Sequence, residues 1–220
     1  MDTYQKKDKT LCYQIVYKKI KNTYFRVKDD CVVITTNRLV SKKQILLYLE
    51  EKFDKFHHII TNQRVLDSNH HIQLWGKTYD LHVHHGRFAY VIDELKVSVT
   101  SMSENIKDIK KRIYQQEMNK RLVSIHEDVI FHIKYKGINQ LPIKLKYLKS
   151  KFGSYHRKHH EITLNTFLAT LDEIYLYYVL FHEYAHVIVF NHSKDFYNLL
   201  GEFMPNHRIY QKDLKKIAII

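Results

Sequence analysis

The sequence predicts an α+β protein: a β-rich first hundred residues around one helix, then a helix-rich remainder with a buried helix near its end. Three patterns carry this. Up to about residue 100, apolar residues alternate in short runs separated by Asp-Asp, Gly-Lys and Gly-Arg pairs. From Glu104 to Lys134 they recur at helical spacing instead. Ile174 to Phe190 is apolar almost all round, as suits a helix in the interior. The change of periodicity suggests a β-rich part over 1–100 and a second part over 101–220, as one compact unit or two small ones. With 220 residues and 45% hydrophobic content, the chain can bury a core without disulfides or an obligate partner.

Leu11 to Ile20, Tyr24 to Lys28 and Cys31 to Thr36 read as strands of a small antiparallel sheet, with Asp29-Asp30 as a turn. Ser41-Lys42-Lys43-Gln44 has the form of a capping box and opens a helix near Lys42 to His57. Ile72 to Trp75, Thr78 to His84, Phe88 to Ile92 and Leu95 to Val99 are strand-like. The stripe Ile106, Ile109, Ile113, Met118, Leu122, Ile125, Val129 and Ile133 marks the helical stretch that follows. A strand then runs through Leu141, Ile143, Leu145 and Tyr147, a loop through Gly153-Ser154, and a strand through Ile162-Thr163-Leu164. Thr170-Leu171-Asp172-Glu173, a second capping box, starts the buried helix at about Leu171. Ser193 caps a final helix that carries Phe196, Leu199, Leu200 and Phe203.

Five glycines and two prolines leave no flexible linker, and no internal repeat is evident in the residues. Cys12 and Cys31 read as buried thiols with no disulfide framework. Met1 to Thr10 lacks the apolar core of a secretory signal, and the charged motif inside Ile174 to Phe190 rules that segment out as a membrane span. A cytoplasmic location is expected. The net charge of +13 favours nucleic acid, anionic membrane surface or acidic protein as partners, although the charges are spread along the chain.

The buried helix contains His182-Glu183-Tyr184-Ala185-His186. Histidines four apart share one helical face, so both imidazoles reach a common point, and Glu183 points beside them without being a ligand. With 16 histidines in the chain, this five-residue pattern arises by chance in about one chain of twenty of such composition, so context must decide. His192 supplies it. A reversal near Phe190 and Asn191 returns that third imidazole to the same point, leaving a fourth position open, the arrangement of a catalytic zinc site. His182, His186 and His192 are thus the candidate metal ligands and Glu183 the candidate general base. His207 and Arg208 are candidate oxyanion donors, and His207 or Glu202 stand in reserve as ligands. His57-His58, His70-His71, His84-His85 and the group His156, His159 and His160 read as surface or packing residues, and Asn165 as a turn-fixing one.

Lys149-Ser150-Lys151-Phe152-Gly153-Ser154, Ile162-Thr163-Leu164-Asn165, the segment Tyr177 to His186 and Asn191-His192-Ser193-Lys194-Asp195-Phe196-Tyr197 resemble the YgjP-like metallopeptidase family. The resemblance implies a minimal zincin-like catalytic domain, distantly similar to SprT-like zinc peptidases, with Zn2+ as cofactor and a peptide or protein as substrate. The family's Trp-Gly-Ser-Cys stands here as Phe152-Gly153-Ser154-Tyr155, so no role of that cysteine carries over. The same likeness suggests Ile162 to Leu164 as an edge strand for an extended peptide. Two rival readings remain: a nucleic-acid-associated protease using Lys144, Lys146, Lys149, Lys151, Arg157 and Lys158, and a non-catalytic zinc-stabilised module.

Overall fold

The computed structural model describes residues 1–28, 30–217 and 219; the side chains at 62, 63 and 65–67 also fall outside the description, as does Asp29 of the expected turn. The chain forms two compact units, Met1–Asp67 and Ser68–Ile220. No helix among the described residues is long and apolar enough to cross a membrane.

The first unit contains β1 (Asp2–Lys6), β2 (Lys9–Tyr17), β3 (Tyr24–Lys28), β4 (Cys31–Thr36), α1 (Lys42–Glu51) and α2 (Phe53–Asp67). Its sheet has the order β1-β2-β4-β3 and is mixed, because β2 and β4 run parallel. Leu11, Tyr13, Val32 and Ile34 are its buried strand residues; Ile45, Leu49, Phe53 and Phe56 are buried on the helices. The expected single helix is two, broken at Lys52, where φ −101° and ψ 8° leave the helical region. The capping box on α1 is present, with Ser41 and Gln44 each bonding the other's backbone.

Cys12 and Cys31 form a disulfide, which corrects the expectation of free thiols. The parallel register of β2 and β4 makes the two cysteines direct Cα partners. Their separation of 19 positions in the chain gives no hint of that pairing.

The second unit begins with β5 (His71–Leu74), β6 (Lys77–His85), β7 (Ala89–Ile92), β8 (Lys96–Ser101) and α3 (Ile106–Ser124). Its sheet has the order β5-β6-β8-β7 and the same parallel and antiparallel pairings as the first. Each first hairpin turns on a residue with positive φ, Lys7 at 54° and Trp75 at 49°. Ser41 caps α1 and Asn105 caps α3, and four and eight residues past each cap stand buried Ile45 and Leu49, or Ile109 and Ile113. A structural repeat is therefore present where the sequence shows none. It keeps burial and pairing, while most residue identities differ.

Beyond α3 come α4 (His126–Tyr135), β9 (Ile143–Lys146), β10 (Gly153–His156), β11 (Glu161–Asn165), a 3₁₀ turn (Thr166–Thr170), α5 (Glu173–Ile188), α6 (Lys194–Phe203) and α7 (His207–Leu214). The helical stretch from Glu104 is divided at Ile125, whose φ and ψ of −93° and 1° end α3. Strand order in this third sheet is β10-β11-β9, with β9 parallel and β10 antiparallel to β11. Ile162 to Leu164 is therefore the centre of the sheet. Both of its sides are already paired, which overturns its expected role as an edge.

Buried Asn165 closes the β11 end of this sheet. Its amide nitrogen donates to the carbonyls of Leu148 and Lys151 at 2.7 and 2.9 Å, and its oxygen accepts from the backbone of Leu148 and Phe167. It fixes the loop leading into β10, as expected of a turn-fixing residue. Trp75 ties the second sheet to the turn before α5: its backbone N–H donates to Ala169 O at 2.8 Å. Beside it, a Cβ on Gly76 would stand 3.3 Å from Asp172 N, so this approach uses glycine and its φ of 78°.

Candidate metal centre

Asp172, not Thr170, caps α5: its carboxylate accepts from Ile174 N at 3.0 Å, while the Thr170 hydroxyl donates back to Phe167 O. Glu173 in the first turn pairs with Arg121 at 3.0 Å. Leu176, Val179, Leu180, Tyr184 and Ala185 bury the helix against its surroundings, while His182 and His186 are half-buried. Helical geometry sets these two imidazoles on one face with centroids 5.0 Å apart.

The helix ends at Ile188, with Val189 extended. His186 Nδ1 lies 3.2 Å from Val189 O, a contact that suits an N–H donor there and leaves Nε2 with its lone pair. The chain then turns, and His192 Nε2 returns to 3.0 Å from His182 Nε2. Ser193 caps α6, which carries Phe196. The Phe196 ring is fully buried and lies under all three histidines, with centroids 4.9, 4.6 and 4.8 Å from His182, His186 and His192. One ring nitrogen from each histidine lies within 4.8 Å of the others.

Those spacings fit a metal. A tetrahedral ion with nitrogen ligands at about 2.0–2.1 Å places its donors roughly 3.3 Å apart. Two of the donors are also in the right state. Burial, followed by the neighbouring charges of His186, His192 and His207, pushes His182 down to about 3, and burial lowers His186 too. Both are neutral at pH 7, with lone pairs to offer. Among the described residues no other three ligating side chains converge in this way.

Glu183 is buried and turned toward β10. Its Oε2 accepts the Tyr155 backbone N–H at 2.7 Å. The strand comes this close because residue 153 is glycine: a Cβ there would stand 2.9 Å from Glu183 Oε1 and 2.7 Å from Val179 Cγ1. Burial raises the Glu183 carboxyl to about 7, against the opposing pull of the Tyr155 N–H and the Lys151 charge. A cavity of 290 Å³ adjoins Glu183 and His182, with Lys151, Phe152 and Gln211 also on its wall.

The reserve candidates fall elsewhere. Glu202 pairs with Lys136. His207 is buried and stacks on Tyr197 at 5.9 Å, and Tyr197 stacks in turn on His192 at 6.2 Å, so His207 backs the site through one intervening ring. Arg208 is exposed, as are His156, His159 and His160 on the β10–β11 turn. Sequence reasoning missed three contributors: Phe196 as the common seat, Gly153 as the point of close approach, and the Tyr155 backbone as the carboxylate's donor. Phe196 was visible only as one apolar position of a helix, and Gly153-Ser154 reads as a loop until strand pairing is known.

Three convergent imidazoles next to a buried carboxyl group are a donor set of the kind metal-dependent hydrolases use. The sequence pattern of the YgjP-like, metallopeptidase domain matches residues 21–217, and the chain belongs to that family. It is accordingly a metallopeptidase. Among solved structures, the metallopeptidase zymogen of Methanocaldococcus jannaschii jannalysin is similar over 46% of this chain and 91% of that one, at 24% identity and a TM-score of 0.31. No curated protein matches the chain.

Proposed function

We propose that the protein is a zinc peptidase in which His182, His186 and His192 hold the ion and Glu183 is the general base. The observation that carries this is the buried Glu183 carboxyl group, raised to about 7, anchored by one oxygen, and sharing a cavity wall with His182 of the three-imidazole cluster. Zinc suits three nitrogen donors and, when bound, supplies Lewis acidity to amide hydrolysis. Glu183 takes the proton of the attacking water and returns it to the leaving amine, for which a pKa near the working pH is best. With Oε2 engaged by Tyr155, Oε1 is the oxygen left for that proton. A purely structural ion would call for a fourth protein ligand, and this cluster offers three.

The free side of β10 is the place for an extended substrate, since β11 is paired on both sides. Outward groups alternate along a strand, so Gly153 shares the outward side with Tyr155, whose N–H is given to Glu183. A cytoplasmic location goes with this reading. There the Cys12–Cys31 pair would be held reduced, which thiol labelling on cell lysis tests.

The deciding experiment joins metal analysis with a cleavable peptide. Protein purified without chelator should hold about one zinc per chain, and His182→Ala, His186→Ala and His192→Ala should each lose most of it. Glu183→Gln should keep zinc and lose hydrolysis by about 10²–10⁴. Full activity in that variant would remove Glu183 from the chemistry, and full zinc occupancy in His192→Ala would remove the third ligand.

A further inference from the structure

The last residue of β10 and the turn after it read His156-Arg157-Lys158-His159-His160, five exposed basic residues in succession. One of them is aimed. The Arg157 guanidinium lies 5.8 Å from the centroid of the Phe190 ring, which is itself 6.3 Å from His186. Phe190 is 64% exposed, so this cation–π contact holds a positive charge at the open lip of the histidine cluster. At the other end of β10, Lys151 lines the cavity shared with Glu183 and His182, and its carbonyl is pinned by Asn165. Glu161, across the turn, is paired with Lys144 at 2.6 Å and does not neutralise Arg157.

The strand that holds Glu183 thus carries a cation just before it and another just after. Arg157 is six positions on from Lys151, roughly 20 Å of extended chain. We propose that these two cations make the protein select acidic peptides, with carboxylate side chains two to four residues from the scissile bond on either side. Lys151 would read one flank and Arg157 the other, so the two choices are separable. The proposal rests on the peptidase reading only in taking the peptide to lie along β10 where it passes the histidine cluster.

The test measures binding and cleavage of labelled decapeptides that share one uncharged centre and carry Glu, Gln or Lys at the flanks, with zinc-loaded protein at low salt. Glu peptides should bind about five-fold tighter than Gln peptides per engaged charge, and Lys peptides should bind weaker. Arg157→Glu should invert the preference at one flank and Lys151→Glu at the other, each read as the ratio of Glu-peptide to Gln-peptide binding, because the Lys151 charge also acts on the Glu183 carboxyl. Arg157→Lys should restore the first. Equal binding of all three peptides, or a preference that survives both reversals, overturns the proposal. So does a DNA duplex that displaces the Glu peptide and loses affinity in the reversed variants while the peptide does not. Charge-selective binding without cleavage of any peptide would instead count against hydrolysis and leave the acidic preference standing.

Discussion

The first sheet with α1 and the second sheet with α3 are two copies of one frame, and they are fastened differently. Both have the same strand order, a hairpin of two turn residues and two buried aliphatic residues four and eight positions past a helix cap. In the first, Cys12 and Cys31 bond across the parallel pair; at the equivalent register positions the second has Asp80 and Lys96. The first helix stops at Glu51, whereas α3 runs on to Ser124. Its added turns place Glu117 within reach of Trp75 Nε1 at 3.2 Å and Tyr90 OH at 2.6 Å, and Arg121 against Glu173 at the start of α5. The shared frame is indifferent to chemistry. In the second copy, the extra length of the helix adds the Arg121–Glu173 pair to the approach that Trp75 and Gly76 already make to the start of α5.

Trimming the equivalent core residues should separate the copies most strongly. Leu49→Ala and Ile113→Ala each remove a fully buried aliphatic side chain and should cost about 2–5 kcal/mol. Hydrogen exchange followed by segment should rise in α1 and α2 for the first variant and in α3 and α5 for the second, with zinc retention reduced only in the second. Equal loss of zinc in both would mean that the copies do not differ as described. Next in size, replacing both Cys12 and Cys31 by Ser should cost about 3 kcal/mol, the expectation for a loop of this length. Denaturation with and without reductant measures it, and the unfolding of Ser68–Ile220 should not move.

The pH response should be confined to the site-bearing unit. His182 titrates at about 3 in place of 6.5, so it stabilises the fold above 6.5 and loses that contribution as pH falls toward 3. Glu183 titrates at about 7 in place of 4.5, so its contribution is present below 4.5 and disappears as pH rises through 7. Between pH 5 and 7 the two oppose one another, each on the order of 2 kcal/mol. His186 and His207, also lowered by burial, add to the His182 side in both proteins, so across that range metal-free Glu183→Gln should gain about 2 kcal/mol more than metal-free wild type in chemical denaturation. A flat variant would show that His182 is not held neutral. The smallest effect belongs to Glu117. Burial opposes its charge, but bonds from Tyr90, Lys120 and Trp75 together keep its carboxyl below the ordinary value. Glu117→Gln should cost about 1 kcal/mol and lower the Tyr90 phenol from about 12, which ultraviolet titration would read.

Local signals in the sequence were sound and pairings were not. Alternation located β3 and β4 to the residue, and Ser41 and Ser193 marked helix starts that their side chains do cap. The strand Asp2–Lys6 was invisible because its residues are mostly polar, and α7 because its apolar positions are few. Thr170 misled because a threonine hydroxyl can equally close a 3₁₀ turn onto Phe167. Parallel pairing of β2 with β4 and of β9 with β11 joins residues far apart in the chain, so neither the disulfide nor the central place of β11 could be foreseen. The histidine cluster was legible because helical spacing fixes two of its members, and only the third needed a turn.

Phe196 touches the three histidines at once from a position with no solvent exposure. Each imidazole thus rests against a rigid plane before any ion arrives, and little rotamer freedom is left for metal capture to remove. A seat shaped in advance also discriminates. With the three histidines as the proposed ligands, it would accept ions content with nitrogen donors at tetrahedral spacing and disfavour those that demand six oxygens, such as magnesium. In this protein the choice of ion would then be made by a hydrocarbon ring that never touches it.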